Sequence, residues 1–154
     1  MAQATGAVTD VRELLALSRP ELDRLFRNSQ PGPTPRGEGA GTVLLARGAR
    51  PSRVAARLAR LLAWQGKVFA PGGGELLNRV TPFGVRAIRA RVYRGASWSD
   101  GAECIVLDYS HTSFLAQRIR DEIRRIGPGL YLGDVYWGRR KVLGFSLRFP
   151  APTP

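Results

Sequence analysis

The segment 141–149, KVLGFSLRF, places Leu143, Phe145, Leu147 and Phe149 on one side and Gly144, Ser146 and Arg148 on the other. A period of two belongs to a β-strand with one face against a core and the other turned away. Similar short stretches recur through the second half of the chain. GKVFA (66–70) and ELLNRV (75–80) flank PGGG and read as a hairpin. In VRAIRARVY (85–93), Ile88, Ala90 and Val92 share one face, with Arg89, Arg91 and Tyr93 on the other. ECIVLDY (103–109) is apolar on both faces, which predicts a strand buried on both sides. YLGDVYW (131–137) precedes 141–149, and TVLLA (42–46) is a further strand.

Helical spacing appears in four places. Residues 10–17 carry Val11, Leu14 and Leu15 behind an Asp10/Glu13 cap pair. Residues 18–26 repeat the grammar with Ser18, Pro20 and Glu21 ahead of Leu22, Leu25 and Phe26. The spacing does not decide between two short helices and one bent helix. PSRVAARLARLLAWQ (51–65) has Val54, Leu58, Leu61 and Leu62 on one face and Arg53, Arg57 and Arg60 on the other. Residues 111–126 place Leu115, Ile119, Ile123 and Ile126 at three- and four-residue steps. That spacing predicts a helix whose Asp121, Glu122, Arg124 and Arg125 form a solvated back. Gly127 would end it and Pro128-Gly129 would turn the chain into the next strand.

About seven short strands without a regular βαβ rhythm make an α+β fold the economical solution: an antiparallel, strongly curved, barrel-like sheet with N-terminal and inserted helices packed on it. Closure would remove the exposed edges, although an open sheet satisfies the same pattern. The Pro/Gly-rich stretch 28–41 reads as a loop or linker. The expected organisation is therefore N-terminal helices and linker over 1–40 and a barrel-like body over 41–150. GEGAG (37–41) superficially resembles a phosphate-cradling run, but no helix with Lys-Ser/Thr follows it.

The formal charge of +12 falls beyond residue 40, because five arginines and five acids balance before it. All basic residues except Lys67 and Lys141 are arginine. A basic body favours anionic partners without choosing among them. The single Cys104 excludes an internal disulfide, and one histidine with one cysteine makes a poor metal set, so no metal site is expected. No basic-plus-apolar leader is visible, and no apolar run approaches the ~20 residues of a membrane helix. A cytoplasmic protein without a membrane span is expected.

Some residues carry candidate chemistry. Asp108, Tyr109, Ser110 and His111 lie where a buried strand empties, a common place for a site. His111 is the only imidazole, and Ser110 lacks a nucleophile-elbow setting. Aromatics alternate with arginine in RARVYRGASW and VYWGRR, a pattern shared by nucleic-acid grooves and by sheets with a wet outer face. None of the common nucleic-acid modules is present.

Taken in order, WQGKVF (Trp64–Phe69), RARVYRG, LDYS, the arginine-bounded segment and PGLYLG…VLGFSLRF resemble a group of bacterial proteins best represented in actinobacteria. That group is loosely related to the GXWXG-type conserved-domain family of lipocalin-like barrels. The resemblance covers about residues 55–149, with Leu62 where the pattern's first glycine would stand. It implies a fold and carries over no activity, cofactor or catalytic residue.

The function expected from these readings is a small binding protein. It would hold a largely apolar ligand, with or without an anionic group, in a lipocalin-like pocket. Trp64, Phe69, Tyr93, Trp98, Tyr109 and Tyr131 are the expected lining, and Arg91, Asp108 and His111 the polar anchors. The competing expectations are nucleic-acid binding through the arginine-rich surface and an isomerase or cyclase using Asp108 and His111 as acid or base.

Overall fold

The protein was analysed as a computed structural model that describes residues 8, 10–44, 53, 64–80, 88–111 and 117–150. Two short helices, α1 (Val11–Leu15) and α2 (Arg19–Arg27), precede eight strands. These are β1 (Gly37–Leu44), β2 (Trp64–Phe69), β3 (Glu75–Val80), β4 (Ile88–Ala96), β5 (Glu103–Asp108), β6 (Ile119–Gly127), β7 (Leu130–Trp137) and β8 (Arg140–Arg148). Each strand pairs antiparallel with the next, and β8 returns to β1, so the sheet is a closed up-and-down barrel without a free edge.

The N-terminal grammar holds in detail. Asp10 caps α1 by accepting from the Arg12 amide. Ser18 and Glu21 form a complete capping box on α2, with Pro20 in the first turn. Two helices are present rather than one bent helix. Of the helix expected over 51–65, Arg53 is helical, Trp64 and Gln65 belong instead to β2, and the other positions lie outside the described residues.

Two expectations are corrected. The segment 119–127 is the strand β6, not the end of a helix. Ile119 and Ile123 are four apart, a spacing that shares a face in a helix and equally in a strand, so the apolar pattern did not discriminate. Of the four charges expected to be solvated, Arg125 is exposed but Asp121, Glu122 and Arg124 are only 3%, 0% and 1% exposed. The second correction concerns 37–41, read as loop, which is the first half of β1. Glycine is a poor strand former, but here small residues are needed. A side chain at Gly39 would strike the Phe149 ring, and Gly66, at φ +146°, leaves no room for a Cβ against the Gly39 carbonyl. Counting β6 brings the barrel to eight strands, against about seven expected, while β1 extends the strand expected at 42–46.

Alternation sorts the side chains into two cores. Inside the barrel lie Phe69, Leu76, Ala90, Val92, Ile105, Leu107, Tyr109, Ile123, Tyr131, Val135, Leu143, Phe145, Leu147 and Phe149. On the outer wall, Leu44, Cys104, Val106, Leu130 and Leu132 pack against Val8 and against Leu14, Leu22 and Phe26 of the helices. This second layer explains why β5 is apolar on both faces. Cys104 is fully buried there, and burial, with Glu122 adding to it, pushes its thiol up to about 12.

The charges facing outward from β6 fasten this layer. Arg124 lies over the Phe26 ring, 4.5 Å from its centroid, and uses all five donors. Its Nη1 and Nη2 reach the two Asp100 oxygens at 2.7 and 2.8 Å. The same guanidinium donates to the carbonyls of Phe26, Ala102 and Glu103 at 3.0, 3.1 and 3.1 Å. Glu122 accepts from Ser97 Oγ at 2.6 Å, the Trp98 amide at 2.8 Å and Arg120 Nη2 at 3.0 Å. The 97–102 turn is thereby held down on the barrel wall. Further along α2, Asp23 meets Lys141 at 2.5 Å, and Lys141 also stands 3.5 Å from the buried Asp134. Among the described residues no helix is long and apolar enough to cross a membrane.

Two outcomes are expected. Arg124→Ala removes the guanidinium from Asp100 and three carbonyls, some of which keep a backbone donor, and should lower the unfolding free energy by about 2–4 kcal/mol in urea titrations. Arg124→Lys should recover only part of it, since an ammonium cannot form the two-pronged contact. A loss under about 1 kcal/mol would mean the cluster behaves as an exposed pair. Asp134 gives a pH signature. Burial raises its carboxyl from 3.8 to about 6, opposed by Lys141 and reinforced by Asp23 and Glu122. A raised folded-state value means stability present below the unfolded value near 3.8 and lost as pH rises through about 6. The full difference amounts to about 3 kcal/mol. Asp134→Asn should therefore raise Tm more at about pH 8 than at about pH 4.5, and a pH-independent effect would contradict this.

Candidate functional site

Among the described residues, charged side chains enter the barrel interior in one place. Lys67 on β2 has the same inward parity as Phe69, and Asp121 on β6 the same parity as Ile119 and Ile123. Tyr109 follows directly on β5 and faces in with Leu107. Lys67 Nζ lies 2.9 Å from Asp121 Oδ2 and 2.5 Å from Tyr109 Oη, with the Tyr109 and Phe145 rings 5.1 and 5.4 Å from the ammonium. All three residues are almost fully enclosed, at 3%, 3% and 2% exposure. Asp121 Oδ1 makes no hydrogen bond.

Burial dominates the electrostatics. It lowers the pKa of Lys67 against the opposing pull of Asp121, and it raises that of Asp121 against the opposing pull of Lys67. Tyr109 is raised as well, by burial first and by the Asp121 charge second. An ammonium and a carboxylate destabilised together approach each other in proton affinity, so the trio can hold a polar group or pass a proton.

The trio sits towards one end of the barrel. The opposite end carries the 70–74, 97–102 and 127–130 turns and is closed by aromatics. Phe69 and Tyr131 each meet Phe149 edge-on at 5.6 Å, and Tyr131 Oη donates to the Pro33 carbonyl at 2.6 Å. There an open recess of about 620 Å³ lies outside the plug, between residues 33–36 and the 72–74 turn. At the trio's end, Val43, Ile119, Trp137 and Val142 pack on the interior but are only partly buried. Ile119 is the next inward residue after Asp121 on β6, about 7 Å along the strand.

The nine residues expected at the site do not gather in one place. Phe69, Tyr109 and Tyr131 are inside, with Tyr109 alone in the polar trio. Trp64 opens β2, where only the backbone is described. Arg91, Tyr93 and Asp108 are on the outer wall because their parity is opposite to that of Val92 and Leu107. There Tyr93 Oη stands 3.3 Å from Asp108, and the Ser110 amide donates to Asp108 at 2.9 Å. Burial works against the charge on Asp108, but the hydrogen bonds from Ser110 and Tyr93 and the nearby His111 hold its pKa below the usual value. His111 is exposed in the turn after β5. Trp98 lies on the outer wall between the guanidinium groups of Arg120 and Arg139, at 4.3 and 4.5 Å, with Tyr136 edge-on at 5.2 Å. Lys67 and Asp121 are not among the residues expected at the site. The available signal was the parity of Lys67 with Phe69 in WQGKVF.

Removing one partner of the trio should be costly and removing both should not. Lys67→Met is expected to destabilise by about 3 kcal/mol or more at neutral pH, because Asp121 is left buried and charged. Lys67→Met/Asp121→Leu should recover most of that loss, as read by a double-mutant cycle in urea. Additive losses would show that the two side chains are not coupled.

No family model matches this sequence, and no curated protein matches it. Among solved structures, a crystal structure of a protein from Thermomonospora curvata is similar, with a TM-score of 0.61 and 22% identity over 88% of this chain and 89% of that one. At that identity the likeness supports the fold alone: the barrel with its helices.

Proposed function

We propose that this chain is a binding protein that takes a small, largely apolar ligand into the barrel from the end rimmed by Val43, Ile119, Trp137 and Val142. The ligand's polar or anionic end lies at Lys67, Asp121 and Tyr109. The observation that carries this reading is the trio itself. A barrel needing only a solid core is better served by apolar residues at those positions, since a buried ion pair rarely adds net stability. A polar cluster in an otherwise apolar lining, close to the partly buried Val43, Ile119, Trp137 and Val142, suits a small-molecule site. The expected lipocalin-like character and the GXWXG-type resemblance are consistent with it, the first through the closed antiparallel barrel.

Native mass spectrometry of freshly purified protein should reveal a co-purified small molecule. Thermal-shift titrations with fatty acids, sterols and haem should raise Tm for at least one apolar class, as mass action requires of a ligand that binds only the folded state. Protein that carries nothing and shifts with nothing would sink the proposal. Tight oligonucleotide binding that weakens steeply with salt would favour the outer wall instead, where Arg120 and Arg139 clasp Trp98.

A further inference from the structure

The trio also points to what kind of polar end it receives. Lys67 and Asp121, ammonium against carboxylate at 2.9 Å, sum to no net charge. The ammonium is engaged by Asp121 Oδ2 and Tyr109 Oη, and Tyr109 also hydrogen-bonds the Asp121 carboxylate, yet its Oδ1 makes no hydrogen bond. Asp134 offers a contrast: its unbonded oxygen, Oδ2, has the Lys141 ammonium 3.5 Å away, whereas the cation beside Asp121 is turned to Oδ2.

A buried acceptor without a donor is unfavourable, and a group that supplies the donor relieves it. An anionic headgroup supplies none and brings a like charge against Asp121. A cationic one supplies a donor but adds net positive charge beside Lys67 in a low-dielectric interior. A neutral donor does neither.

We propose, resting on the small-ligand reading above, that the ligand's polar end is an uncharged hydrogen-bond donor, a hydroxyl or an amide N–H, received by Asp121 Oδ1. The ligand class is then a long-chain or ring alcohol, phenol or primary amide rather than a free fatty acid. Selectivity follows from the unpaired atom, since a site with a buried polar group discriminates against analogues that leave it unpaired.

A headgroup series on the unmodified protein tests this without requiring any variant to fold. Dodecanol, dodecanamide, dodecanoate and methyl dodecanoate share one chain and differ only at the polar end. Binding by isothermal calorimetry should favour the alcohol and the amide over the carboxylate and the ester by about tenfold or more. In Lys67→Met/Asp121→Leu that preference should disappear, while chain binding remains. If the carboxylate or the ester binds at least as tightly as the alcohol, the inference is overturned and the pocket reading stands. If none of the four binds and no other apolar molecule shifts Tm, both fall.

Discussion

The Arg124 guanidinium is the contact on which the outer half of this molecule depends. An up-and-down barrel completes its own backbone hydrogen bonds, but nothing in that pairing tells two short helices where to sit. Arg124 does so by ending in three places at once: the C-terminal carbonyl region of α2, the Asp100 carboxylate in the 97–102 turn, and the carbonyls that lead into β5. The charge is enclosed, yet every N–H has an acceptor, so the usual penalty for a buried cation is met by geometry. Leu14, Leu22 and Phe26 then cover Cys104, Val106, Leu130 and Leu132, which would otherwise leave an apolar stripe on the barrel wall.

The sequence was most readable where local chemistry and tertiary environment agree. The capping box of Ser18 and Glu21, the hairpin around PGGG and the two-sided apolar run of β5 each follow from neighbours along the chain. β6 failed because its meaning lies elsewhere. The residues that make Arg124 and Glu122 buryable are Phe26, Ser97 and Asp100, far away in sequence, and charge at a helical spacing looks solvated until such partners are known. β1 failed for a related reason, since the need for Gly39 becomes visible only once Phe149 is opposite it.

The candidate site divides in the same way. Aromatic residues were visible in the sequence, but parity decides whether each lines the interior or the exterior, and parity is set by register. Tyr109 and Tyr131 fall inside and Tyr93 outside. Lys67 is one of two lysines among many arginines, and its parity with Phe69 carries it into the interior beside Asp121 and Tyr109. Charged residues of β6 thus face both ways: Asp121 turns inward against Lys67, and Arg124 turns outward against Asp100 and Phe26.

The burial of Cys104 has a practical consequence. Its thiol lies between the barrel wall and the helices, is closed to solvent, and is held far from its reactive anionic form. It is also the only sulfhydryl in the chain. A thiol reagent added to the native protein therefore reports on a single event, the lifting of the helical layer from β5. Its rate as a function of denaturant separates that local opening from loss of the barrel itself.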